Sequence, residues 1–452
     1  MTSSDPPTPS VSFREALWFW VKLGFISFGG PAGQISIMHQ TLVVERGWLS
    51  EKRFLHALNY CMLLPGPEAQ QLATYLGWLM HKTTGGILAG VLFVLPSLVL
   101  ITVLSGLYVA YGQLAWMAAL FASIKPAVVA IVIQAVHRVG KRALHGRFMW
   151  LLASLSFVAM WSGLVPFPVI LLSAAGLALA FKRHVQTEST NATHAVGAAS
   201  PSESSALIND HTPLPEHARF QTRRFVWVVL TGLLLWALPM GLLWWLWGPS
   251  NTLLDMGGFF SKAAWMTFGG AYAVLPYVYQ GAVESFQWLS GPQMMDGLAL
   301  GESTPGPLIM VVTFVGFLGG HAQPVLQGDG QMLSGVLGAL VATWFTFLPS
   351  FVFILAGGPM VEMTHNQWRF TVPLSGITAA VVGVMLNLAV FFVYHVGWPQ
   401  GVSGPLDWGA AALTMAWLMV LFRFKWSVLN VVFSAAALGL MYHLLRTVWL
   451  GF

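Results

Sequence analysis

The chain carries Ser27-Phe28-Gly29-Gly30-Pro31-Ala32-Gly33 near its start and Thr267-Phe268-Gly269-Gly270 past its middle. The shared three-residue motif returns at an offset of 240 residues, and two further motifs return at the same offset. They are Trp48-Leu49-Ser50 with Trp288-Leu289-Ser290, and Pro65-Gly66-Pro67 with Pro305-Gly306-Pro307. Three ungapped matches at one spacing predict that the two halves of the chain are copies of one fold.

The repeat continues beyond an insertion around residues 321–332, where the offset becomes 253. There Leu95-Pro96-Ser97 matches Leu348-Pro349-Ser350, and Ala127-Val128-Val129 matches Ala380-Val381-Val382. Residues 186–219 match neither half, and their Ser, Thr, Ala and Pro content without periodicity is typical of a disordered linker. We predict a first repeat in residues 1–184, a disordered cytoplasmic linker in 185–222, a connecting transmembrane helix in 223–250 and an inverted second repeat in 251–452.

The composition assigns the chain to the membrane. Of its 452 residues, 56% are hydrophobic and only 8% are charged, which is too apolar for a soluble globule. Uncharged runs at residues 83–124, 148–181, 225–254 and 330–361 each exceed the roughly 20 residues that one spanning helix needs. The first residues lack the basic start and the cleavage site of a secretory signal. The predicted class is an all-α polytopic membrane protein.

Basic residues indicate the orientation of the repeats, because Lys and Arg in short loops stay cytoplasmic. The loop at residues 45–53 contains Arg46, Lys52 and Arg53, whereas the matching loop at 281–292 contains none. Corresponding loops therefore face opposite sides, and we predict inverted repeats with about 13 membrane segments, six in each repeat and one between them.

The predicted location is the cell inner membrane, with a cytoplasmic N-terminus and linker and a periplasmic C-terminus. Of the 21 Lys and Arg, only Arg446 is expected outside. The first two segments of each repeat are either re-entrant hairpins or complete crossings. Charge favours re-entrance, because that arrangement keeps the basic loop at residues 45–53 inside.

Each repeat contains two places where a helix must break. Glycines are conformationally permissive and proline removes a backbone donor. Neither the Phe-Gly-Gly motif nor the Pro-Gly-Pro motif therefore continues an α-helix. Paired interruptions in two repeats are typical of a transporter's binding site. The predicted substrate-binding residues at the breaks are Gly29, Gly30, Pro65, Gly66 and Pro67 in the first half, and Gly269, Gly270, Thr304, Pro305, Gly306 and Pro307 in the second.

Two lysines favour an anion at these breaks, as do the positive ends of half-helices. Lys22 and Lys262 are 240 residues apart, each six residues before its glycine pair. A lysine near the bilayer centre costs about 2.5–3.5 kcal/mol on insertion scales, which suggests a use for both. The alternative is that each side chain extends to the membrane surface.

Other polar residues near the breaks have candidate roles. Glu68 and Glu302 are the predicted proton-coupling groups, although Glu68 also suits ordinary compensation of a helix dipole. Lys125, before Pro126, is a predicted pathway residue that could line a cavity or pair with a glutamate. Hydrogen bonds to an oxyanion, or alternatively between helices, could come from Ser27, Thr267, Ser303, Thr304, Gln70 and Gln71.

The residues at the breaks, Leu64-Pro65-Gly66-Pro67-Glu68 and Gln70-Gln71-Leu72-Ala73 with the second-half Thr304-Pro305-Gly306-Pro307, resemble the motifs of the chromate ion transporter family in its long bidomain form. The resemblance extends over both halves. It implies export of chromate from the bacterial cytoplasm by the proton motive force, which confers chromate resistance. It also implies sulfate, a tetrahedral dianion of similar shape, as a competitor.

Other chemistries have little support. Cys61 is the single cysteine and no Cys/His cluster has metal-ligand spacing, so neither a metal nor a cofactor is expected. The net charge of +5 reflects topology, and no nucleic-acid partner is implied. Gly401-Val402-Ser403-Gly404 with His443 matches a serine-protease pattern, but Ser403 falls in a predicted outer loop, so no enzyme is expected. An uncoupled anion channel and a transporter of another oxyanion stay as alternatives.

Overall fold

The computed structural model describes residues 11–28, 30–112, 114–182, 207–208, 216–268, 270–326, 328–363, 371–401 and 403–450. Within these ranges the chain forms sixteen α-helices and no β-strand. The predicted all-α class is therefore confirmed.

The first half has seven α-helices. They are α1 (Phe13–Ile26), α2 (Gly30–His39), α3 (Glu51–Leu63), α4 (Glu68–Tyr111), α5 (Ala115–Ala143), α6 (Arg147–Trp161) and α7 (Phe167–Ala180). A π-helical turn, Gln40–Glu45, continues α2. Helix α4 is kinked at His81 and Lys82, where the backbone leaves helical geometry and Lys82 has a φ of 58°.

The second half begins with a connecting helix and then repeats this order. Its helices are α8 (Thr222–Trp247), α9 (Thr252–Met266), α10 (Ala271–Tyr279), α11 (Gly291–Ser303), α12 (Val311–Ala322), α13 (Gln331–Met363), α14 (Thr371–Gly397), α15 (Trp408–Arg423) and α16 (Val428–Leu450). A π-helical turn, Gln280–Ser285, follows α10 as another follows α2. In the order of helices along the chain, α12 and α13 correspond to the two arms of the kinked α4 in the first half.

The helices around the predicted breaks are short. Helix α1 has 14 residues, α2 has 10 and α3 has 13. Each is shorter than the roughly 20 residues that span a bilayer, which is typical of broken or re-entrant segments. The equivalent loops before α3 and α11 both end in a serine cap, because Ser50 Oγ accepts from Arg53 N and Ser290 Oγ accepts from Gln293 N.

Six helices in the described part are long and apolar enough to cross a membrane. They lie within α4, α5, α8, α13, α14 and α16. Helix α8 leaves large apolar side chains uncovered, with Trp227 61% and Trp245 74% exposed. So much exposed apolar surface suits contact with lipid tails rather than water. The chain is a multi-pass membrane protein.

The two halves are interleaved rather than side by side. Helix α5 contacts α15 and α16 of the second half, and its counterpart α14 contacts α6 and α7 of the first. The largest hydrophobic core cluster accordingly joins Ile101 and Ile131 of the first half with Phe260, Val312 and Phe392 of the second. Neither half buries its apolar surface without the other.

Most of the predicted linker lies outside the described residues, and its described residues contact the first half. Ile208 N donates to Trp48 O at 3.1 Å, and Ser50 N donates to Ile208 O at 3.0 Å. Further along, a ring nitrogen of His217 lies 3.0 Å from Trp78 O, and burial lowers the pKa of His217. These contacts hold the described part of the linker against the first half.

Candidate functional site

The breaks of the two halves are joined by a reciprocal pair of backbone hydrogen bonds. Gly66 N donates to Thr267 O at 2.7 Å, and Gly306 N donates to Ser27 O at 2.8 Å. Both bonds connect the second break of one half to the first break of the other, and their four residues are related by the 240-residue offset. We name this group of residues, with the segments 27–34, 64–71, 267–270 and 304–307, the crossing.

Glycine is required at the second break of each half. Gly66 has a φ of +130° and Gly306 a φ of +107°, which L side chains rarely adopt. A Cβ at Gly66 would collide with Ser350 Oγ, and a Cβ at Gly306 would lie 2.7 Å from Ser97 Cβ. Ser97 and Ser350 occupy equivalent positions in the repeated Leu-Pro-Ser motif. Each lies against the second-break glycine of the opposite half.

Two buried glutamines of the first half reinforce the crossing. Gln34 Nε2 donates to Gly306 O at 2.5 Å and lies 3.4 Å from Ser27 O. Gln71 Nε2 donates to Pro65 O at 2.7 Å and lies 3.4 Å from Ser350 Oγ. Sequence reasoning missed Gln34, although a glutamine in the apolar turn after a glycine break is a recognisable signal.

Several side-chain oxygens in and beside the crossing have no hydrogen-bond partner within the described part of the chain. They are Ser27 Oγ, Gln34 Oε1, Gln70 Oε1, Gln71 Oε1 and Ser97 Oγ, and all are buried. Most buried polar atoms have a partner, so these groups mark the crossing as a polar site in an apolar interior. The two hydroxyls can donate to oxyanion oxygens, whereas the amide oxygens only accept.

Other predicted hydrogen-bond donors are engaged within their own helices. Thr267 Oγ1 donates to Ala263 O at 2.7 Å, and Thr304 Oγ1 donates to Gly301 O at 3.2 Å. Ser303 Oγ donates to Leu300 O at 3.0 Å, and Gln70 Nε2 donates to Thr74 Oγ1 at 3.0 Å. These residues shape the breaks, and the donor groups left for a ligand are mainly Ser27 and Ser97.

The remaining predicted residues at the breaks act through the backbone. Gly30 and Gly270 have φ of +72° and +96° and open α2 and α10. The prolines on either side of Gly66 and Gly306 keep those segments extended between two helices, at Pro65, Pro67, Pro305 and Pro307. Gly29 and Gly269 lie outside the described residues.

The predicted lysine pair lies on exposed faces of the helices that end at the crossing. Lys22 on α1 and Lys262 on α9 are both exposed, whereas Ser27 and Thr267 at the ends of the same helices are fully buried. Lys22 shares its exposed face with Trp18. The two positions are equivalent in the fold, but the structure does not bring them together with the other candidates.

The two predicted acids occupy different settings. Glu302, 7% exposed at the end of α11, accepts a hydrogen bond from the hydroxyl of Tyr272. Because Tyr272 follows Gly270 at the start of α10, this contact joins the two breaks of the second half. Glu68 is the half-buried first residue of α4.

An ion pair between a partly exposed lysine and a buried aspartate connects the halves beside α11, and sequence reasoning missed the aspartate. Lys125 Nζ of α5 lies 3.8 Å from Asp296 Oδ1 of α11. Tyr108 of α4 donates to Asp296 Oδ2 at 2.9 Å. The sequence suggested a glutamate as the partner of Lys125, and the partner is this aspartate. Helix α11 thus carries both Asp296 and Glu302, each bonded to a tyrosine.

The serine-protease pattern does not assemble. Ser403 is exposed in the loop between α14 and α15, Val402 lies outside the described residues, and His443 lies on α16. No hydrogen bond joins Ser403 to His443 in the part of the chain that the structure describes.

A family model described as "Chromate transporter" matches residues 14–180 and 254–440. The chain belongs to the chromate transporter family. The resemblance predicted from the break motifs is confirmed, and in this family member the two matched segments supply every residue of the crossing described above. Residues 181–253, which contain the predicted linker and α8, lie between the two matches.

Curated relatives extend over most of the chain. The chromate transport protein of Cupriavidus metallidurans is 27% identical over 98% of this chain and 98% of its own length. That of Pseudomonas aeruginosa is 32% identical over 85% of this chain and 82% of its own. A probable chromate transport protein of Synechococcus elongatus is 28% identical over 84% and 85%, respectively. No solved structure matches this family member.

Proposed function

We propose that this protein exports chromate from the bacterial cytoplasm across the inner membrane, driven by the proton motive force, and so confers chromate resistance. The proposal is supported by the names of three relatives that align over most of the chain. The observation that carries it is the reciprocal bonding of Gly66 to Thr267 and of Gly306 to Ser27. Broken helices that meet between two repeats are how many secondary transporters form a substrate site.

In the proposed mechanism the anion binds at the crossing. The hydroxyls of Ser27 and Ser97 donate to its oxygens, and the N-termini of α2 and α4 present backbone N–H groups. Rocking of one half against the other would expose the site to each side in turn.

Two sources of energy would drive export. A dianion leaving a cytoplasm that is 100 mV negative gains about 4.6 kcal/mol, because each charge contributes about 2.3 kcal/mol. Protons would enter from outside through Glu302 with Tyr272, and through Glu68. Buried carboxyl groups in a membrane interior are suited to carrying protons.

The domain boundaries and topology belong to the same proposal. The order of helices is shared by the halves, and the basic loops differ in the way that inverted repeats require. We therefore propose inverted repeats in residues 1–184 and 251–452, joined by a cytoplasmic linker and α8, with the N-terminus cytoplasmic and the C-terminus periplasmic.

We also propose Lys22 and Lys262 as cationic contacts for the anion, because the two lysines occupy equivalent positions in the two repeats. Lys22→Ala and Lys262→Ala test this assignment. Loss of chromate resistance at normal membrane abundance supports a role in transport, whereas full resistance in both variants removes them from the site.

Chromate uptake into everted membrane vesicles energised by a respiratory substrate tests the function. We expect uptake that collapses with a protonophore and falls with excess sulfate. Uptake that survives the protonophore would favour an uncoupled anion channel. Absent chromate uptake, with sulfate uptake in the same vesicles, would reassign the protein to another tetrahedral oxyanion.

A further inference from the structure

A cavity of about 560 Å³ lies at the C-terminal end of α5, against α15 of the other half. Its lining includes His137, Arg138, Lys141, Arg142 and His145, and among the described residues no carboxylate contributes to it. The volume lies within the roughly 300–1,000 Å³ of ordinary ligand pockets. We name this space the basic cavity.

The local sequence explains why these side chains converge. Arg138, Lys141 and His145 recur every three or four residues after Gln134, which places them along one face at the end of α5. Arg138 Nη2 donates to Gln134 Oε1 at 3.2 Å, and Gln134 Nε2 donates to Leu421 O of α15 at 3.5 Å. The face is therefore turned toward the other half of the protein.

The basic cavity is electrostatically connected to the crossing. The charge of Arg142 acts on Glu68 at the second break of the first half. The charge of Arg138 acts on Glu302 at the second break of the other half. The same cluster of cations therefore lies within Coulombic range of the acid at the second break of each half.

Basic residues at the end of a helix also offset its dipole and record the cytoplasmic side of a membrane. Neither role requires that the basic side chains line a pocket shared by the two halves. Arg147 and Lys182 provide a contrast, because they are exposed and basic in the same half, and neither lines the cavity. Positions of this kind serve topology without forming a site.

We propose that the basic cavity is the capture site for multivalent inorganic oxyanions on the cytoplasmic side of the crossing. This inference rests on the proposed export of chromate. The cavity raises the local concentration of dianions, and the anion then passes Glu68 and Glu302 to reach the crossing. The phosphate of an anionic lipid headgroup has the same chemistry, and the experiment separates the two.

The test measures the KM for chromate uptake into inside-out proteoliposomes, at low and high ionic strength. In the double variant Lys141→Gln with Arg142→Gln, we expect KM at low salt to rise by roughly two- to fivefold per charge removed. The effect shrinks at high salt because exposed charges are screened. The control double variant, Arg147→Gln with Lys182→Gln, removes the same charge and is expected to keep the wild-type KM.

The charge-conserving double variant, Lys141→Arg with Arg142→Lys, is the control for misfolding caused by changes at these positions. Its KM is expected to stay near the wild-type value. An unchanged KM in the Gln variant, while the wild-type protein transports chromate, overturns the capture site alone. A KM difference that appears only in liposomes with anionic lipid also overturns it, because the cavity then binds headgroups. Wild-type protein that moves no chromate would contradict the proposed function and the capture site together.

Discussion

The two halves of the protein share their break motifs and the order of their helices but differ in the side chains around the crossing. At the positions of Gln34 and Gln71 the second half has Val274 and Val311. At the positions of Asp296 and Glu302 the first half has His56 and Met62. The amides that reinforce the crossing come from one half, and the buried acids of α11 come from the other. The repeat therefore supplies a symmetric scaffold, and the chemistry is divided between its copies.

The largest expected effect is on the symmetric scaffold. Gly66→Ala and Gly306→Ala should each abolish chromate uptake, because a positive φ costs a side chain about 1–3 kcal/mol and each Cβ meets a serine of the other half. Uptake per unit of immunodetected protein checks this. Gly176→Ala in α7 is the control, since it has open space around it. If either Gly66→Ala or Gly306→Ala kept chromate uptake, the crossing would not be functionally symmetric.

The next prediction concerns the acids of the second half. Glu302→Gln should eliminate protonophore-sensitive uptake, because an amide cannot carry a proton and the hydrogen bond from Tyr272 can still form. The matched change in the first half, Met62→Gln, falls on an exposed side chain and should leave uptake close to wild type. Uptake with and without protonophore is the measurement. Equal loss in both variants would remove the proposed division of roles.

The ion pair between α5 and α11 should show strong coupling. Asp296→Leu or Lys125→Met leaves one member of a largely buried pair, at a cost of about 3–5 kcal/mol. The double change Asp296→Leu with Lys125→Met should recover much of that stability.

The stabilities in this double-mutant cycle are measured by thermal unfolding in detergent, and chromate uptake is measured in parallel. Recovered stability with no recovered uptake would assign the pair a transport role. Additive losses would show that the two residues do not interact.

The smallest effect is expected where the first half adopts the residues of the second. Gln34→Val and Gln71→Val each remove hydrogen bonds to the crossing worth about 0.5–1.5 kcal/mol apiece. Stability should fall modestly, and KM should change more than the maximal rate because the scaffold bonds of Gly66 and Gly306 remain. A fall in uptake as large as that of Gly66→Ala would place the amides, rather than the backbone, at the centre of the site.

Much of the architecture was predictable because its causes are local. Repeated glycine and proline motifs force a break wherever they occur, and Gly30, Gly66, Gly270 and Gly306 all have positive φ. The apolar runs predicted long helices, and α8 and α13 follow two of these runs closely, whereas the run at residues 83–124 covers the second arm of α4 and the start of α5. The family was predictable from the same motifs, since the matched segments contain both breaks of each half.

The candidate site was predictable only in part. The second breaks were located correctly, but the spacing of Lys22 in the sequence did not reveal which face of α1 is covered. Exposure depends on how a helix is rotated against its neighbours, and that rotation follows from packing partners far away in the chain. The same limit hid Gln34 and the basic cavity.

What the sequence by itself determined is the helical membrane class, the repeat and the places where the backbone cannot stay helical. These depend on composition and on the conformational limits of single residues. Only the tertiary structure decided that Gly66 bonds to Thr267, that Lys125 pairs with Asp296, and that α5 turns its basic end toward the other half. Such contacts join residues more than 150 positions apart, and they exist because neither half can bury its apolar surface alone.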